Sequence, residues 1–539
     1  MNETPGSHPA EPLAPIFDEP GPPKFQPRQR VIVLLIAVLC DVVIYRGNGF
    51  AGLSLLFVVA PILFCIGKFN PARIGDLTVV AVMLILLSVR LLWYGSVLPA
   101  ALGFALLAAF AMTLSGLRPF VLETMVFAAQ TIASGYAGLN EVWQSTRSAK
   151  VPSSKSGCFS VLAIALPLGA FLAFGSLFIL ANPDLMSYFG DRMEWLSTAL
   201  REWFVKHGPR PTEVLFWIAV IWISTGALCP LLEDGLVGTT RYRERGDETA
   251  RKDESSAELY TPFRNMLLTV IALFAVYLVF EFKTLWFRVF PEGYHYSGYA
   301  HEGAFWLTVA LGLATVVLSL VFRAKMLKDA RQPGLRRLAW IWSAQNLLLA
   351  LAVYHRLLIY VGFNGMTRMR VVGFLGISAV IVGFLLVLRK IATDRDFVWL
   401  IRRQMWTLFV AVYLFAAMPV DVIVMQYNVR RILNGDPAPC VQISVHPIDP
   451  DGVIPLIPLL DCENATIREG LRALLAERLE RGKQHVQQRE QQGWTAFQWA
   501  DRLMLEKLAS EKARLAKYAE SDTRKRVLEQ FHKYAYQWY

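Results

Sequence analysis

Val371-Val372-Gly373-Phe374-Leu375-Gly376-Ile377-Ser378-Ala379-Val380-Ile381-Val382-Gly383-Phe384-Leu385-Leu386-Val387-Leu388 carries no charge and is followed at once by Arg389 and Lys390. As a helix, a run of this length comes close to crossing the roughly 30 Å of hydrocarbon in a bilayer. The basic pair that ends it is the retention signal of a cytoplasmic loop. The same reading repeats on both sides, over 263–280, 304–322 and 338–358 before it and 404–424 after it. Arg323, Lys325, Lys328, Arg331, Arg336 and Arg337 mark one inside loop, and Arg389, Lys390, Arg395, Arg402 and Arg403 mark the next.

The whole chain fits that beginning. Its 539 residues are 55% hydrophobic, too apolar for a soluble protein of this size. The net charge of +11 reflects Lys and Arg gathered between apolar runs, which argues for a bilayer rather than a nucleic-acid partner. No P-loop, Gly-rich nucleotide fingerprint or zinc-ligand spacing occurs, so neither cytosolic ATP-driven chemistry nor a cofactor is expected.

Residues 1–30 are rich in Pro, Gly and Glu and read as a disordered cytoplasmic tail. Apolar runs at 31–45, 50–66, 74–92, 97–114, 159–180 and 213–232 place an N-terminal membrane half over 31–233. Residues 119–139 carry Glu123, Gln130 and Thr131 and read as an interfacial helix. A charged cytoplasmic linker is expected over 234–262 and a second membrane half over 263–426. The fold expected is thus an all-α, polytopic transmembrane bundle of about eleven spans with its N-terminus cytoplasmic. Residues 427–539 follow as a small extracytoplasmic helical domain. It opens on a Pro-rich linker and continues in helix-period segments at 466–491, 494–518 and 523–537. Its two cysteines, Cys440 and Cys462, are expected to pair in an oxidising compartment.

Four polar sequences between the later runs do not read as ordinary loops. Three of them, Tyr299-Ala300-His301-Glu302-Gly303, Gly365-Met366-Thr367 with Arg370, and Tyr427-Asn428, resemble signature pieces of bacterial membrane proteins classed as domain of unknown function 4173, and of their close relative 4153. The resemblance covers roughly 263–433, with His301 where that group leads one to expect Arg or Lys. It implies a bacterial multi-spanning inner-membrane protein and carries no activity.

The candidate site gathers at the outer span ends: His301, Glu302, His355, Arg356, Arg368, Arg370, Asp421, Asn428 and Arg430. Charges at such depth either snorkel or pair within the bundle. Acids and bases of matching depth predict that one of His355, Arg356, Arg368 or Arg370 pairs with Glu302 or Asp421. Together they could shape an outward-facing polar pocket for an anionic small molecule, a lipid headgroup or another envelope protein. No metal site is expected, because His295, His301, Glu302 and His355 match no compact ligand spacing. Deeper in the bundle, Gln345 and Asn346 are expected to hydrogen-bond between helices, and Asp41 to be a shielded structural acid. The function expected is interaction, sensing or envelope assembly rather than catalysis. A transporter or lipid-handling carrier is the alternative, and a membrane-embedded transferase a third reading that would need Asp421 or Glu302.

Overall fold

The structure, a computed structural model, describes residues 25–68, 73–148, 210–230, 255–283, 310, 312–314, 317, 332–393, 395 and 397–539. All the described secondary structure is helical. The order is α1 (Pro27–Cys40), α2 (Phe50–Gly67), α3 (Ile74–Tyr94), α4 (Val97–Leu114), α5 (Val121–Ser148), α6 (Pro211–Leu228), α7 (Ser255–Glu281), α8 (Gln332–Asn364), α9 (Arg368–Thr393) and α10 (Phe397–Ala417). Eight of these, α2 to α4 and α6 to α10, are long and apolar enough to cross a membrane. The expected spans at 159–180 and over most of 304–322 lie outside the described residues, as do His301 and Glu302. Helix α5 is one 28-residue helix and is not among the eight.

The apolar composition explains where these helices stand. On α7, Leu273, Val276 and Val279 are 63%, 70% and 69% exposed, and α3 exposes Val79, Val82, Leu86 and Val89 in the same way. Contiguous apolar faces of that extent are untenable in water and ordinary against lipid. These helices make the chain an integral membrane protein.

Two compact units divide the chain, Met1–Leu34 with Ala129–Glu233, and Leu35–Ala128 with Asp234–Tyr539. In the first, α5 and α6 touch backbone to backbone. A side chain at Gly226 would collide with the Thr131 carbonyl, and one at Gly135 with the Trp222 carbonyl, while the Trp222 indole N–H donates to the Ile132 carbonyl at 2.6 Å. Without a hydrophobic drive between helices in lipid, such close packing of small residues is what holds a helix pair together. Gly226→Val should therefore force the pair apart and cost about 1–3 kcal/mol by overpacking. Loss of disulfide cross-linking between cysteines introduced on α5 and α6 would register it, and unchanged cross-linking would refute the contact.

In the second unit, α2, α3 and α4 form one group. The Phe57 ring fills the space over Gly103, and the Ser54 hydroxyl donates to the Ser88 carbonyl at 2.8 Å. Helices α7, α8 and α9 form another around Trp342, Val353, Leu349 and Val387. There the Gln345 amide donates to the Ile271 carbonyl at 3.0 Å, the interhelical bond expected, whereas Asn346 donates within its own helix to Trp342. Asp41 opens a π-turn (Asp41–Tyr45) after α1 and pairs with Arg46 at 2.9 Å, as a shielded structural acid would.

The run expected to span 404–424 is broken. Helix α10 ends at Ala417, and Pro419, which lacks an N–H to continue the ladder, starts α11 (Val420–Leu433). Helix α11 belongs with the C-terminal domain: Val420, Val424, Met425, Val429 and Ile432 share a core with the residues that follow. That core continues through α12 (Cys440–Val445), α13 (Pro450–Val453), α14 (Ala465–Gln492), α15 (Trp499–Ser510), α16 (Lys512–Leu515) and α17 (Ser521–Ala535). Helix α14 begins where the Asn464 side chain accepts from the Ile467 N–H, and it ends at Gly493, whose φ of +92° suits glycine. Leu471, Leu475 and Leu479 form its buried stripe, and Phe531 packs over Gly470.

Candidate functional site

The expected polar cluster lies where the span ends meet the C-terminal domain, and its centre is a turn. Helix α8 stops at Asn364, Gly365 takes a φ of +97°, and α9 starts three residues on. A Cβ at Gly365 would lie 2.5 Å from Asn428 Oδ1 and 2.9 Å from Pro439 Cβ, so only glycine fits. Asn428, fully buried, clasps the turn: its amide donates to the Met366 carbonyl at 2.9 Å and its oxygen accepts from the Met366 N–H at 2.7 Å.

The last carbonyls of α8 collect cationic and amide donors. Arg431 donates to Val361 and Gly362 at 2.7 and 2.6 Å, and the Gln442 amide donates to Asn364 at 2.8 Å. Arg370 donates to the Gly365 carbonyl and the Asn364 side chain, with its guanidinium 3.7 Å from the Tyr360 ring centre. The pieces Gly365-Met366-Thr367, Arg370 and Tyr427-Asn428 therefore meet in one helix-end clasp. Arg430 next to it is exposed.

Beside the clasp is an ionic cluster. Arg368 makes a two-pronged pair with Asp421, in the first turn of α11, and reaches Asp449 at 2.7 Å. Asp421 also accepts from the Asp449 N–H at 2.7 Å. Asp451, wholly buried, lies 3.4 Å from Arg90 of α3, and neither of its oxygens has a hydrogen bond. Burial pushes its carboxyl up, with Arg90 opposing. Oxygens of Asp421, Asp449 and Asp451 come within 4.8 Å of one another, a donor set that could suit a hard cation. Here the Arg368 fork already occupies both Asp421 oxygens and reaches Asp449, so the cluster is neutralised by guanidinium.

Of the expected pairings, Arg368 with Asp421 forms. Arg356 pairs with Glu281 at the end of α7, Nε to Oε1 at 2.6 Å, and Tyr277 donates to the same carboxylate at 2.9 Å. Arg356 and Glu281 are both buried. His355 is half-buried beside Arg356.

The domain is fastened a second time, to α2 and α3. The Gln498 amide donates to the Leu91 carbonyl at 3.1 Å, its oxygen accepts from the Gly95 N–H, and the Asn48 N–H donates to Thr495 Oγ1 at 3.1 Å. Arg90, Asp449, Asp451, Thr495 and Gln498 escape sequence reasoning. Asp449 and Asp451 stand in what reads as a Pro-rich linker, and the others have no local signal.

Cys440 and Cys462 share the domain core as free, buried thiols, so the expected disulfide is not formed. Burial, with Asp436 and Cys462 nearby, pushes the Cys440 thiol up to about 12. Both should resist alkylation in the folded protein and both should react once it is unfolded without reductant. Failure to label them in the unfolded, unreduced chain would show a bridge instead.

A bundle of apolar helices with a helical domain clamped to its span ends defines a polytopic α-helical membrane protein. The profile of a domain of unknown function, DUF4153, matches residues 35–451, well over half of the chain, and the protein belongs to that family. The match takes in Arg90, Arg368, Asp421 and Asp449 and ends at Asp451; the related 4173 group is not the one matched. No curated protein and no solved structure matches the chain.

Proposed function

We propose that this protein is an interaction or sensory protein of a bacterial inner membrane, in which the bundle presents the C-terminal domain to an envelope partner. The observation that carries this reading is the double fastening of the domain. Arg368 with Asp421 and Asp449 ties it to α9, and Gln498 with Gly95 and Leu91 ties it to α3. A domain held at two separate span ends transmits a push on its surface to the helices, whereas a tethered one would swing freely. The basic loops after 322 and 388 support a cytoplasmic N-terminus and an extracytoplasmic domain, so a reporter fused at Gly435 should report the outside.

A photo-crosslinking amino acid placed at exposed domain positions such as Arg481, Lys525 and Tyr536 tests the reading in intact membranes. Discrete adducts are expected, and they should be lost when Arg368→Ala loosens the seat. No discrete adduct at any position would overturn it. The competing reading, a lipid-handling carrier, draws on a cavity of about 770 Å³ between the bundle and the domain.

A further inference from the structure

That cavity is lined by residues the polar cluster does not use. Ala51, Ser54, Leu55 and Val58 supply one wall from the first turns of α2, and Leu92 from the last turn of α3. The opposite wall comes from the C-terminal domain and includes Trp494 and Phe497. Leu55 and Val58 are exposed on a membrane-crossing helix, so the apolar wall is continuous with the lipid-facing surface. An exposed Trp at a span end suits the water–lipid border.

The polar side of the cavity holds two ion pairs of different character. Arg489 with Asp501 is the more buried, Asp501 being almost wholly covered. Arg502 with Glu490, 3.1 Å apart, is open to solvent, at 59% and 58% exposure. An exposed pair of that kind holds together weakly, so its partners can be exchanged at little cost. Arg502 also lies 5.2 Å from the Phe497 ring centre, which keeps its guanidinium against the apolar lining. One opposite-charge pair at the head of an apolar slot is the complement of a headgroup with a phosphate and an ammonium.

We propose that this cavity seats one zwitterionic glycerophospholipid. Its phosphate sits on Arg502, its ammonium faces Glu490, and an acyl chain runs along Leu55 and Val58 into the bilayer. The occupant is a lipid rather than a soluble phosphate because the largest part of the wall is apolar and opens along a span. The site stands whether or not the domain has a protein partner, and its test reads lipid contact alone.

The full-length protein is reconstituted into vesicles containing phosphatidylethanolamine with a photoactivatable acyl chain, irradiated, and the labelled peptides mapped. Labelling should concentrate on peptides holding Leu55, Val58, Trp494 and Phe497. It should fall at least fivefold there in Arg502→Glu, which reverses the charge offered to the phosphate, and in Leu55→Trp, which fills the slot. Val79→Trp, on the lipid-facing side of α3, should leave it unchanged, and all three variants should melt near the parent's temperature. Diacylglycerol carrying the same photoactivatable chain should label these peptides weakly. Equal labelling by the two lipids, or labelling indifferent to Arg502→Glu and Leu55→Trp in folded protein, would overturn the proposal.

Discussion

Arg356→Ala should lower the stability of the protein in detergent by about 3–5 kcal/mol, because it removes the guanidinium that grips the fully buried Glu281 carboxylate. The Tyr277 hydroxyl offsets only part of that charge, since one such donor contributes about 1–3 kcal/mol. Adding Glu281→Leu to Arg356→Ala should recover much of the loss, because the acid is then removed together with the guanidinium that grips it. Melting curves of both single variants and the double decide the matter. Strictly additive losses would mean that the two side chains do not act as a pair.

The second large effect belongs to Arg368. Its removal strips the two-pronged partner from Asp421 and the link to Asp449, leaving three neighbouring carboxylates with much less positive charge to balance them. Like charges within 4.8 Å of one another repel strongly in a partly buried place, so Arg368→Ala should cost about 3 kcal/mol and loosen residues 446–452. Lysine should rescue only part of this, because an ammonium cannot make the paired, planar contact. Amide hydrogen exchange over 446–452 reads the loosening directly. Unaltered exchange in Arg368→Ala would show that the domain is seated by Gln498 and its neighbours without the ionic cluster.

The spans were legible because apolar length is a property of each segment alone. The run 371–388 needs no partner to be read, and α9 contains it whole. Matching depth of acids and bases put Arg368 and Asp421 among the candidate partners without singling out this pair. The same argument named Arg356 but not its partner. Glu281 is at the end of α7, and only the packing of α7 on α8 selects it over Asp421. Pro419 could have revealed the break between α10 and α11, but the apolar residues around it hid the turn. The stretch from His446 to Asp451 is Pro-rich and reads as a linker, yet it carries Asp449 and Asp451 into the ionic cluster. Proline content reports local stiffness and says nothing of what the stiff segment is pressed against.

The hold of Gln498 on Gly95 and Leu91 joins residues 403 and 407 positions apart. A ribosome delivers α2, α3 and α4 to the membrane long before it makes Gln498. Until then the end of α3 keeps its Leu91 carbonyl and Gly95 amide on water. The last tenth of the chain thus completes the first membrane helices, and maturation cannot finish helix by helix in the order of synthesis. A chain halted before Gln498 would yield inserted helices that lack this seal, giving quality-control proteases a recognisable mark.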